Sequence, residues 1–162
     1  MPAVIDHLIY AVRDLDAAAA RLAEMGLTSY FGGTHPGLGT SNRIVPLGQS
    51  YIELLAPSPL DEDRFLGWML RGVPLGADAV PMQRTMPDGV VLSWRLAGLT
   101  APSLWELDPM APVFIEWDEG VPLPGSLDPV GVLAGVELAP GRGVVAARVE
   151  LYDGGGREVV LR

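Results

Sequence analysis

Only one stretch of this chain has the apolar spacing of a firm amphipathic helix, and that scarcity governs what the chain can fold into. In "RDLDAAAARLAEMG", Leu15, Ala18, Ala19 and Leu22 fall at i, i+3, i+4 and i+7, while Arg21 and Glu24 face away. Asp14 is placed to cap the helix, Asp16 sits in the first turn where a carboxylate suits the helix dipole, and Gly26 is a natural stop. The spacing predicts a helix over about 14–25. Elsewhere 20 glycines and 15 prolines cut the chain into short β-rich runs. Strands are expected at about 3–12, 28–31, 40–47, 50–56, 89–98, 112–118 and 131–139, with a turn at "LGQS". The tail "VVAARVELYDGGGREVVLR" reads as a hairpin turned by "DGGG". "DEDRFLGWMLRG" reads as a short helix burying Phe65, Trp68 and Met69, and 118–131 as a loop.

The chain has no cysteine, which excludes disulfides, thiolate metal sites and a cysteine nucleophile. A metal would have to be held by His, Asp, Glu or water. The formal charge is −9, with no lysine and scattered arginines, so a nucleic-acid partner is not expected. No run of about 18 apolar residues suggests a membrane span, and no signal-peptide pattern opens the sequence. The expected location is therefore cytoplasmic.

The chemistry-bearing candidates are few. There are only two histidines, and His7 shares one strand face with Ile5, Ile9 and Ala11. Glu53 shares a strand face with Tyr51 and Leu55. A buried carboxylate without a partner is expensive, so Glu53 points to solvent, pairs, or binds a cation. His35 lies in the glycine-rich run "GGTHPGLGTSN", either held over a pocket or on a surface turn. That run is no phosphate loop, because it lacks the Gly-Lys-Ser/Thr ending and a following helix. Asn42 and Arg43 alternate, so only one of them can face inward; Arg43 would suit a substrate carboxylate. Trp94, Arg95, Glu116 and Trp117 suit a pocket as well as a core. No serine sits in a nucleophile elbow.

These blocks carry a resemblance. "IDHLIYAVRDLDAAAARLAEMG", then "GGTHPGLGTSN" and "SYIELLA", resemble the glyoxalase-like domain family of the vicinal oxygen chelate superfamily. That superfamily also holds glyoxalase I, extradiol dioxygenases and the fosfomycin- and bleomycin-resistance proteins. "DGVVLSWRLAG" and "PVFIEWDEG" look like later blocks of the same family. The resemblance implies an α+β fold of paired βαβββ modules whose cupped mixed sheet wraps a cavity. The expected division is a first module at 1–58, a connecting segment at 59–84 and a reduced second module at 85–162, within one compact domain. "GVLAGVELAPGRGVVAARVEL" leaves no room for a second-module helix. An uncovered sheet face would follow, so a homodimer is expected.

The resemblance further implies an enzyme of the lyase, isomerase or dioxygenase type. A divalent metal (Zn, Mn, Ni, Fe or Mg) would polarise vicinal oxygens of a small-molecule substrate. Its ligands would be His7 and Glu53, with Glu116, Glu137, Glu150 or water completing the set. His35 and Glu53 would be the catalytic acid–base groups, and Asn42, Arg43, Tyr51, Trp94 and Trp117 would contact substrate. The other reading is a metal-free protein of the same fold that binds or sequesters a small molecule.

Overall fold

The computed structural model describes residues 2–99, 101 and 103–162. Its elements run β1 (Val4–Ala11), α1 (Leu15–Glu24), β2 (Tyr30–His35), β3 (Thr40–Leu47), β4 (Ser50–Ala56), β5 (Arg64–Arg71), β6 (Val80–Thr85), β7 (Val91–Ala97), β8 (Val113–Trp117), β9 (Gly131–Ala139), β10 (Gly143–Leu151) and β11 (Glu158–Leu161). The helix forms as its spacing predicts. Asp14 caps it by accepting from the Ala17 N–H at 2.9 Å, and Ala18 and Leu22 are fully buried. Gly26 follows at φ +91°, a left-handed conformation that favours glycine.

The fold is α+β, and the sheet goes further than a cup. Eight strands close into a barrel in the order β1-β4-β3-β2-β6-β7-β8-β5. The pairs β1/β4 and β5/β8 are parallel and the others antiparallel. The order β1-β4-β3-β2 is thus repeated by β5-β8-β7-β6, and no helix lies between β5 and β6. The two halves meet along β1/β5 over seven residue pairs, and along β2/β6 through the single pair Thr34↔Thr85.

This pairing corrects the expectation for 59–84. Residues 64–71 are not a helix in a connector but strand β5, antiparallel to β1. Phe65, Trp68 and Met69 have helical spacing only by coincidence. β5 is covered on both faces, with Phe65 and Trp68 packed outward and Leu66 and Met69 inward, so no simple alternation appears. β6 also lies in that segment. The second four-strand unit therefore runs from β5 to β8, and 131–161 forms something else: a separate sheet in the order β11-β10-β9. The expected "DGGG" hairpin is present as β10–β11.

That small sheet has a clear packing role. Ala147, Val149 and Leu151 of β10 join Ala18 and Leu22 of α1 in one apolar cluster. The cluster lies over the outward residues Leu8, Tyr10, Val45, Ile52 and Leu54 of β1, β3 and β4. The Tyr10 hydroxyl donates to the Arg162 carbonyl at 2.9 Å, tying β1 to the end of the chain. The outer apolar face of β1, β3 and β4 is thus covered within one chain. No helix among the described residues is long and apolar enough to cross a membrane.

Candidate functional site

The barrel interior divides by chemistry. The first half contributes its polar groups, His7, His35, Thr40, Tyr51 and Glu53, beside Ile9, Leu38 and Leu55, to a cavity of about 310 Å³. The second half contributes mainly apolar groups, among them Met69, Trp94, Leu96 and Ile115, and one charge, Arg84. The volume is at the small end for a ligand site.

Glu53 is the centre of the polar half. Strand alternation turns it inward between Tyr51 and Leu55, and it is only 8 % exposed. Its Oε1 accepts from the Asn42 side-chain amide at 2.7 Å. His7 Nε2 stands 3.5 Å from Oε2, and His35 Nε2 stands 3.7 Å from Oε1. Burial alone would push the Glu53 carboxyl up, but His7, His35, the Asn42 amide and Arg84 together outweigh it and hold it below the usual range. Glu53 is therefore an ionised carboxylate at neutral pH. Burial pulls the His35 imidazole down against the opposing charge of Glu53, and Arg84 lowers it further.

Both imidazoles are held from behind. His35 Nδ1 shares a hydrogen bond with Thr40 Oγ1 at 2.9 Å. His7 Nδ1 is 2.6 Å from Asp6 Oδ1, and its ring stacks on Tyr51 at 4.5 Å between centroids. Asp6 also accepts from the Trp117 indole at 3.0 Å and from Arg71 at 3.3 Å. Burial pushes the Asp6 carboxyl up, but these partners, with His7 foremost, bring it below its ordinary value. An ionised Asp6 can only accept, so Nδ1 of His7 carries the hydrogen and Nε2 is left facing Glu53. Adjacent strand residues normally point to opposite faces. Here β1 shifts register against β5 between Ile5 and His7, and this bulge brings Asp6 and His7 together.

The structure thus gathers His7, His35, Glu53, Asn42 and Tyr51, and places Trp94 and Trp117 in the cavity wall, 5.2 Å apart. His35 is not on a loop but ends strand β2. Arg43 is corrected: it points outward and binds Ser29 through Ser29 Oγ at 2.9 Å and the Ser29 carbonyl at 2.7 Å. Asn42 takes the inward position. The carboxylates considered as a third ligand are corrected too. Glu116 pairs with Arg95, and Glu137 and Glu150 are exposed residues of β9 and β10, outside the barrel. Asp6 and Arg84 were not among the expected residues. Asp6 had only its place beside His7 as a signal. Arg84 had the alternation of Met82 and Arg84 in a strand marked down by Pro81.

The residues present do not fit the metal that the resemblance implies. Among the described residues no group of three or more His, Asp or Glu side chains is placed to hold a metal ion. One oxygen of Glu53 already accepts the Asn42 N–H, and the guanidinium of Arg84 opposes a second cation in the same cavity.

With this geometry in place, comparison with known proteins bears on the first half of the barrel. Residues 5–71 match the glyoxalase-like domain family. The glyoxalase-like match spans β1 to β5 and so contains His7, His35 and Glu53, but not Arg84. A hypothetical protein from Staphylococcus aureus has a similar crystal structure, with a TM-score of 0.64 and 18% identity over 83% of this chain and 69% of that one. At that identity the likeness shows the fold alone. A hypothetical protein from Bacillus halodurans C-125 superposes at a TM-score of 0.42 and 14% identity, covering 72% of this chain and 94% of that one, too loosely to bear on the fold. No curated protein matches the sequence.

Proposed function

We propose that the barrel cavity is the active site of a glyoxalase-like small-molecule enzyme of the lyase or isomerase kind, in which Glu53 moves a proton on a bound carbonyl compound. One observation carries this reading: a buried, ionised carboxylate with an imidazole Nε2 beside each of its oxygens. Glu53 accepts a proton from carbon. His7, oriented by Asp6, and His35, oriented by Thr40, are placed to take it on or return it. Trp94 and Trp117 keep the site largely dry, which strengthens each of these interactions.

A second reading has its own observation. The depressed pKa of Glu53 makes it a weak proton acceptor, which favours a metal-free protein that binds a small molecule without turning it over. Proton NMR in D₂O separates the two, using a panel of small ketones, hydroxyketones and 2-oxo acids. Loss of an α-hydrogen signal with the wild type, absent with Glu53→Gln, supports the enzyme. Line broadening that reports binding, with no exchange across the panel, supports the binder.

A further inference from the structure

Arg84 is the least explained charge in the molecule. Of the chain's eleven basic residues, all arginines, it alone is buried, at 3 % exposure. It makes no ion pair among the described residues, and its Nε has no hydrogen-bond partner among them. A buried cation left without a paired anion is costly to the fold. Only the charge of Glu53, across the same cavity and beyond ion-pair distance, offsets part of that.

The surroundings are nevertheless shaped around it. β2 carries Gly32 and Gly33 where β6 passes. A Cβ at Gly32 would stand 2.9 Å from Arg84 Nη1 and collide with Asn42 Oδ1. A Cβ at Gly33 would stand 3.3 Å from the Arg84 stem. The guanidinium therefore occupies space that any other residue would fill, and it lines the cavity with His35 and Glu53. Asn42, whose amide hydrogen is committed to Glu53, leaves its buried Oδ1 without a donor among the described residues.

We propose that Arg84 makes the cavity a receptor for a small monocarboxylic acid, whose carboxylate lies on the guanidinium and whose apolar body lies against Met69, Trp94, Leu96 and Ile115. This deepens the reading above and rests on it only in taking the cavity as the ligand site. A planar carboxylate matches the fork of a guanidinium through two parallel hydrogen bonds. A single added negative charge is what the site tolerates. Glu53 already supplies one, so a phosphate dianion would meet repulsion in a confined, poorly screened space. The apolar half of the barrel then selects an aryl or branched alkyl substituent over a polar one.

The test compares 3-phenylpropionate with its neutral amide, followed by quenching of tryptophan fluorescence, since Trp94, Trp105 and Trp117 all line the cavity. The expected result with wild type is at least about tenfold tighter binding of the acid. Arg84→Met, which keeps the length of the stem, should remove that preference while leaving amide affinity within about threefold. Arg84→Lys should retain part of it. Equal affinity for acid and amide in the wild type overturns the proposal and needs no variant to fold. So does an unchanged acid affinity in Arg84→Met, or no binding of either compound up to about 10 mM. Glu53→Gln distinguishes this proposal from the one above. It should abolish proton exchange yet bind the acid at least as tightly, because it removes the neighbouring negative charge. Exchange that fails while acid binding persists sinks only the proton-transfer reading.

Discussion

Asp6→Asn is the sharpest probe of how the site is held. The substitution keeps size and shape but replaces an acceptor-only carboxylate by a group with one acceptor oxygen and one donor nitrogen. All three neighbours of Asp6 are donors: His7 Nδ1 at 2.6 Å, Trp117 Nε1 at 3.0 Å and Arg71 Nη1 at 3.3 Å. With the amide oxygen serving Trp117 and Arg71, the amide nitrogen faces His7 Nδ1 and forces that ring into either a donor–donor contact or its other tautomer. Either way the charge-assisted bond to His7, worth roughly 1.5–3 kcal/mol, is lost, and the carboxylate charge is lost to the others. At 1 % exposure, water cannot repair this. The sum is about 3–5 kcal/mol, the range for breaking a buried ion pair. For a chain of this length the expected fall in Tm is about 6–20 °C. Thermal unfolding followed by circular dichroism at pH 7 measures it, and the Trp117 emission should shift as its indole loses the carboxylate. A fall of less than about 3 °C would refute the reasoning, because Asp6 would then be neither ionised nor the shared acceptor.

Other outcomes follow from the same geometry. Stability should decline as pH falls in two stages. The folded protein holds His35 below the ordinary imidazole value, so the unfolded chain binds more protons there and stability is lost from about pH 6.5 downward. Glu53 and Asp6, held below 4.5 and 3.8, contribute stability that is lost at lower pH still. A Tm that is flat between pH 7 and 5.5 would contradict the His35 assignment. Metal analysis of protein purified without chelator should find substoichiometric metal, unchanged in His7→Ala; one equivalent lost in that variant would restore the metal-centred reading. Gly125→Ala should destabilise by about 1–3 kcal/mol in urea titration, because its Cβ would press into the Ser50 carbonyl beside the β3–β4 turn. Wild-type stability in that variant would show that the turn yields freely.

How much of this was legible in the sequence depends on which rule each residue obeyed. His7, Glu53 and Asn42 follow strand alternation, and the cost of burying polar groups pointed at the first two as partners. Asp6 obeys no such rule, since a bulge leaves no mark in a single sequence and alternation sends the side chain to the wrong face. β5 was misread because a strand covered on both sides loses its period of two, and Phe65, Trp68 and Met69 then mimic a helix. Arg84 was hidden by Pro81 in a short strand with one bridging pair to β2. The covering role of β9–β11 was invisible for another reason. Nothing local to "GVVAARVEL" says which distant surface it will lie on.

The unequal joins between the two halves give the barrel a mechanical character. It is built like a clasped book, with β1 and β5 as the spine and Thr34↔Thr85 as the clasp. Lifting one residue pair opens the fore-edge, while the spine and the apolar cluster behind it stay shut. A small molecule that enters there parts a single backbone pair, and amide exchange at Thr34 and Thr85 should be faster than along β1. His35 and Arg84 stand beside the clasp, one on each cover. A ligand that touches both fastens the book from inside, so exchange at that one pair becomes a gauge of occupancy.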